Sequence, residues 1–341
     1  MRLIFTFFIF SLLSGCNSNR ESKVTHEKAL KYEGPIIDMH IHSAENEEFT
    51  IDTLGFCLPI TSIIQHFDPK DDYLEIWNNK LHDPECDDPI WSPSSYENFI
   101  ERLTYQLDKH NITAVTSGPP LAVENMYNRI GDRIIKSCQF RIGRDNITTD
   151  SLRILVNKNG FRVLGEISNQ YEGIAPSDPR MEPYYAVAEE LDIPIAIHLG
   201  SGLPGHFYFE PGLTPRLSNP LELEPIIRKF PKLRISIMHY GEPYIDELIS
   251  MMVNYPQLYA DIGGMQVFYP REYFYEYHLK KMVSAGLGKR IMFGTDMIIW
   301  PEIIDRAVKV IDEAPFLSMK QKDDIFYNNA ARFLRLEEKK K

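Results

Sequence analysis

Ile36-Ile37-Asp38-Met39-His40-Ile41-His42 is an apolar run closed by two histidines one residue apart. Side chains alternate faces along a strand, so His40 and His42 point to one side, about 7 Å apart. From that separation two imidazoles can converge on a single metal ion. A pair of core histidines satisfied by hydrogen bonds would read the same way, so the weight rests on what later strands bring.

Seven further β-branched or apolar runs follow, at 112–117, 139–143, 162–167, 193–199, 234–239, 258–262 and 291–295. Longer amphipathic stretches lie between most of them, and this alternation implies a parallel sheet, open or closed. A helix is expected over 94–110, opened by a Ser94-x-x-Glu97 capping box and carrying Phe99, Ile100, Leu103 and Leu107 on one face. The last helix, 319–335, would turn Ile325, Phe326, Ala330 and Phe333 inward. Between His42 and Ser94 lies an irregular segment rich in Asp, Asn and Pro, too long for a simple connection. With 341 residues and 43% hydrophobic content, one large domain spanning 34–338 is the simplest count.

Four more potential ligands sit where these runs end. Glu166 follows Leu164-Gly165, His198 closes Ile195-Ala196-Ile197, His239 closes Ile237-Met238, and Asp296 follows Phe293-Gly294-Thr295. Singly each has an ordinary explanation: a solvated glutamate, a core histidine, a helix N-cap for Asp296. Together, at the ends of the first, fourth, fifth, sixth and eighth runs, they describe a metal centre at the carboxyl end of a barrel.

These motifs, Asp38-Met39-His40-Ile41-His42, Ile197-His198, Met238-His239 and Gly294-Thr295-Asp296, resemble those of the amidohydrolase superfamily from about Pro35 to Leu336. More narrowly the chain is similar to the amidohydrolase-2 branch, which also holds aminocarboxymuconate-semialdehyde-decarboxylase-like enzymes. The resemblance implies an α/β fold, a (β/α)8 TIM barrel with a long insertion after the first strand. It implies one or two divalent ions, Zn²⁺ by default with Mn²⁺ or Fe²⁺ fitting the same donors. His40, His42 and Asp296 would hold the first, His198 and His239 the second, and Glu166 would bridge. The activity implied is hydrolysis of a small amide, ester or lactone by an activated water, with Asp296 as general base and His239 able to polarise the substrate. A mononuclear decarboxylase of a carboxylated aromatic or muconate-like acid is the alternative; Glu166 favours hydrolysis. A metal- or ligand-binding lipoprotein without catalysis is the reading from another class, and the carboxylate base beside the ligands weighs against it.

Substrate contacts are less constrained. The Gly-rich stretch Gly200 to Tyr208 lacks a phosphate-loop pattern and reads as a pocket wall, offering His206 and Tyr208, with Arg216 beyond. Arg141 could pair with a substrate carboxylate, and Trp300, like Tyr240, could shape an apolar side.

The N-terminus reads as targeting sequence. Met1-Arg2 precedes an apolar stretch from Leu3 to Leu13, and Leu13-Ser14-Gly15-Cys16 resembles a bacterial lipoprotein box. Residues 1–15 are thus expected to be a signal peptide, Cys16 the lipidated residue, and 16–33 a polar tether. This places the protein in the cell envelope, held on a periplasmic or outer-surface face of a bacterial membrane. In that oxidising setting Cys57 and Cys86 could bridge a loop, although the three cysteines left after Cys16 show no metal-like spacing. A formal charge of −11 leaves no basic stripe for nucleic acid.

Overall fold

The structure is a computed structural model that describes residues 31–49 and 51–336. The expected signal peptide, Cys16 and most of the tether lie outside the described residues, as does the tail from 337. Eight parallel strands form one sheet: β1 (Ile36–His42), β2 (Ile112–Gly118), β3 (Ile134–Cys138), β4 (Val163–Ile167), β5 (Ile195–His198), β6 (Ile235–Met238), β7 (Leu258–Asp261) and β8 (Ile291–Met292). They pair in chain order, with registers such as Ile36 to Ile112, Ala114 to Ile134 and Ile195 to Ile235. Met39 N–H donates to Phe293 O at 2.9 Å, Asp296 N–H to His40 O at 2.8 Å and His42 N–H to Met297 O at 2.9 Å. Those bonds bring the eighth strand's exit back to the first and make the parallel sheet that the alternation implies a barrel, as the resemblance predicts.

Two boundaries differ from expectation. The third strand is Ile134–Cys138, and 139–143 is the loop leaving it. Lys136 interrupts the apolar pattern of the true strand. Its ammonium meets Glu124 at 3.0 Å and lies 4.6 Å from the Tyr127 ring, so a polar residue there costs little. The loop looks like a strand because Phe140 and Ile142 are buried. The helix expected from Ser94 starts one residue later: Ser95 caps α2 (Tyr96–Lys109, preceded in the insertion by α1, Tyr73–His82), its hydroxyl accepting from Asn98 N–H at 3.2 Å. Phe99, Leu103 and Leu107 are fully buried on its inner face, each contributing roughly 1.5–3 kcal/mol. The last helical segment runs Met319–Asp323, then a π-helical Asp324–Asn328, then Asn329–Phe333, and buries the four residues expected.

The insertion is ordered by its own devices. Strands Gly55–Phe56 and Ile90–Trp91 pair antiparallel, α1 (Tyr73–His82) lies between them, and a disulfide joins Cys57 to Cys86. Asp72 caps α1 by accepting from the N–H groups of Leu74 and Glu75. Trp300 stacks on Phe56 with centroids 4.7 Å apart, and its indole N–H donates to Leu54 O at 2.9 Å. Tyr73 of α1 stacks on Tyr208 at 4.5 Å and donates to Pro204 O at 2.5 Å. The insertion is thereby clamped to the loops after β8 and β5, over the carboxyl ends of the strands. No helix among the described residues is long and apolar enough to cross a membrane.

Candidate metal centre

His40 and His42, both in β1, have ring centroids 5.5 Å apart, and both present Nε2 to Asp296 Oδ1, at 3.3 and 3.0 Å. Glu166, next to last in β4, faces them with Oε2, 3.7 Å from His40 Nε2 and 3.3 Å from His42 Nε2. Its other oxygen, Oε1, faces His198 Nε2 at 3.5 Å and His239 Nε2 at 3.8 Å. All six residues named from the sequence therefore meet at one place, and a single carboxylate looks two ways.

Several backbone features hold them there. His239 and Asp296 adopt φ of 53° and 55°, left-handed conformations uncommon for residues with a Cβ and concentrated at functional sites. Gly263 packs beneath His40, where a Cβ would come within 2.3 Å of Nδ1. Asp38 accepts from the N–H groups of His40 and Thr295, both at 3.0 Å, and from the Thr295 hydroxyl at 2.6 Å, tying β1 to the segment that carries Asp296. Burial raises the Asp38 carboxyl to about 6 in spite of those bonds.

The donor set fits a divalent ion. His40 Nε2 and His239 Nε2 are buried and make no hydrogen bond among the described residues. They face carboxylate oxygens at 3.3–3.8 Å. Two ligands about 2.1 Å from one ion sit roughly 3.0–3.4 Å apart, so these separations suit shared coordination better than direct hydrogen bonding. The tightest groups are His40, His42 and Asp296, and His40, Glu166 and His239. His198 belongs to neither group, although its Nε2 faces Glu166 Oε1 at 3.5 Å. The Tyr171 hydroxyl lies within hydrogen-bond distance of His198 Nε2, at 2.8 Å, and the Gln170 side-chain amide meets its Nδ1.

Electrostatics follow from burial opposed by neighbours. Burial would raise Asp296, but His40, His42 and His239 outweigh it and hold the carboxyl at about 2. Glu166 is likewise kept well below the usual carboxylate range by His198, His42, His239 and His40 against its burial. Burial would lower His40, yet Asp296, Asp261 and Glu166 push it well above its ordinary value. His198, buried and beside His239, is driven well below. Both carboxylates are thus held in the charged form in which they would ligate.

Asp261, the last residue of β7, was not singled out by the sequence reading. Its Oδ1 lies 3.5 Å from His40 Nδ1 and accepts from His239 N–H at 3.1 Å and Gly263 N–H at 2.9 Å. A carboxylate behind a ligating imidazole fixes its tautomer and orientation. The available signal was its place: an acidic residue ending a strand run, before Gly263-Gly264. Tyr171 was also missed, because nothing in a loop sequence shows that a tyrosine will fold onto His198.

A cavity of about 340 Å³ opens over this cluster, and His206, Arg141 and Trp300 line it. Tyr208 and Arg216 do not; Tyr208 is spent on Tyr73 and Arg216 is exposed. Tyr240 is fully buried outside the cavity walls.

The amidohydrolase family model matches residues 37–336. Comparison with curated proteins finds no match. Among solved structures, the chain resembles an uncharacterized TIM-barrel protein from Bordetella bronchiseptica at 16% identity and a TM-score of 0.60, over 89% of this chain and 99% of that one. It resembles a probable 2-pyrone-4,6-dicarboxylic acid hydrolase from Acinetobacter baumannii at 15% and 0.57, over 89% and 100%. It also resembles 5-carboxyvanillate decarboxylase from Sphingomonas paucimobilis at 13% and 0.55, over 89% and 99%. At such identities the likeness is one of fold.

Proposed function

The chain belongs to the amidohydrolase family, and from that premise we propose that it is a metal-dependent hydrolase of a small amide, ester or lactone. The observation that carries this reading is the division of Glu166, whose Oε2 faces His40 and His42 while Oε1 faces His198 and His239. A carboxylate so placed suits a pair of ions. His40, His42 and Asp296 would hold the first and His198 and His239 the second, with Zn²⁺ the default and Mn²⁺ or Fe²⁺ compatible. Such ions supply Lewis acidity toward a carbonyl and make water acidic enough to lose a proton near neutral pH.

The chain's own residues do the rest. Asp296 is ionised, is about a quarter exposed, and lines the cavity, so it is the base placed to take the proton of the attacking water. It returns that proton to the leaving nitrogen or oxygen. Asp261 and Gly263 hold His40 and His239 in orientation through their inner ring nitrogens and the backbone. Phe56, Ile60, Trp77 and Leu81 of the insertion give the cavity an apolar lining, and a less polar surrounding strengthens each of these contacts. Turnover on panels of neutral esters, lactones and amides, with Asp296→Asn falling at least a hundredfold, is the expected result; carbon dioxide release from aromatic carboxylic acids instead would overturn it.

One observation favours the decarboxylase as second reading. The compact group His40, His42 and Asp296 already gathers three donors for one ion, to which His198 of β5 would add a fourth. A one-ion site would use that group and leave Glu166 as a neighbour.

The lipid anchor on Cys16 and an envelope location belong to the same proposal. The Cys57 to Cys86 disulfide supports an oxidising compartment. Loss of fatty-acid labelling in Cys16→Ala is the expected check, and labelling that persists would remove the anchor from the account.

A further inference from the structure

The cavity over the metal-ligand cluster has two unlike sides. Phe56, Ile60, Trp77 and Leu81 come to it from the insertion, and Phe268 and Ile303 from the segments after β7 and β8. These walls are held: Phe56 by Trp300, and α1 by the Tyr73 contacts at its first residue. The disulfide closes the segment from Cys57 to Cys86 that carries Ile60, Trp77 and Leu81.

The polar side holds one cation among the described lining residues, Arg141, and its charge is already matched. Its Nη1 lies 2.7 Å from Glu210 Oε1 and 3.3 Å from Glu172 Oε1, and Nε donates to Ser168 Oγ at 3.2 Å. Arg144 meets the same two carboxylates at 3.4 and 3.5 Å, so two guanidiniums face two glutamates. A substrate carboxylate entering here would repel Glu172 and Glu210, and would leave water for a mainly apolar cavity with no unmatched guanidinium to meet it.

We infer that the substrate is neutral at its non-reacting end and carries an aryl or alkyl group, which packs on the wall formed by Phe56, Ile60, Trp77 and Leu81. The inference rests on the reading of this cavity as the substrate site. It narrows the amide, ester or lactone proposed above to hydrophobic, uncharged members, and sets the chain apart from enzymes acting on dicarboxylates. Each buried methylene should strengthen binding about fourfold.

Two of the three tryptophans, Trp77 and Trp300, line the cavity, so intrinsic fluorescence reads its occupation without turnover. The test titrates the metal-loaded full chain with 4-phenyl-1-butanol, 2-phenylethanol and benzene-1,3-dicarboxylate, none of which can be hydrolysed. The expected result is saturable binding of 4-phenyl-1-butanol at least tenfold tighter than either other probe. Ile60→Ser should weaken that binding at least threefold at unchanged metal content. A dicarboxylate that binds within tenfold of the alcohol or better, absence of any saturable shift, or an unaffected Ile60→Ser would overturn the inference. If Ile60→Ser does not fold, the comparison of probes on the parent chain decides. Binding as expected by a chain that hydrolyses nothing would sink the hydrolase and leave this wall standing.

Discussion

Asp261 Oδ1 stands 3.5 Å from His40 Nδ1 while accepting the backbone N–H of His239 at 3.1 Å. One carboxylate at the end of β7 therefore touches both halves of the ligand cluster, although it cannot itself reach an ion held by the Nε2 atoms. It is a positioning residue.

Asp261→Asn keeps an oxygen for the two backbone donors and removes the charge behind His40. Metal affinity should fall roughly 10–100-fold, as is usual for the partner of a ligating histidine. The melting temperature measured with excess metal should change little. Competition with a chelator of known affinity reads the first number and calorimetry the second; unchanged affinity would remove Asp261 from the account.

His278, which is not one of the candidate ligands, gives a pH dependence of its own. It is 5% exposed, packed among Tyr240, Tyr269, Tyr273 and Phe274, and its Nδ1 has no hydrogen-bond partner among the described residues. Burial lowers it from 6.5 to about 4, with Glu242 opposing and Lys281 adding. Between those values the unfolded chain binds more protons than the folded one, so stability falls as pH drops from 6.5 toward 4. At about 1.4 kcal/mol per unit the loss is on the order of 3 kcal/mol. Denaturant midpoints across that range should show the slope, and His278→Phe should flatten it; an identical slope in the variant would assign the effect elsewhere.

The Cys57 to Cys86 bridge closes a loop with a separation of 29 residues. A loop of that size stabilises by roughly 3–4 kcal/mol through the unfolded chain. Replacing both cysteines with serine should lower the unfolding free energy by about that amount and make the segment around α1 exchange amide hydrogens faster than the barrel strands. Equal exchange in the two proteins would show that the aromatic clamps at Tyr73 and Trp300 suffice alone.

Much of this was legible in the chain because both the barrel and its site are written in local patterns. The spacing of His40 and His42 is a strand property, and Glu166, His198, His239 and Asp296 each close a run that is apolar by necessity in a parallel sheet. What the sequence hid depends on contacts made at a distance. Lys136 disguises β3 because its ammonium is received by the Tyr127 and Phe161 rings, while Phe140 and Ile142 imitate a strand from a buried loop. Asp261 and Tyr171 earn their roles only through residues of other strands. The carboxylates that occupy Arg141, Glu172 and Glu210, cannot be picked out from the chain, since one of them is 69 residues away.

Metal content per chain of the purified protein, reconstituted with Zn²⁺ and compared with Glu166→Gln and Asp296→Asn, tests the bridged centre most directly. Two ions are expected in the parent chain, falling toward one in Glu166→Gln, because Oε2 and Oε1 serve the two sides of the site. A single ion indifferent to Glu166→Gln, or no ion after reconstitution, would contradict it.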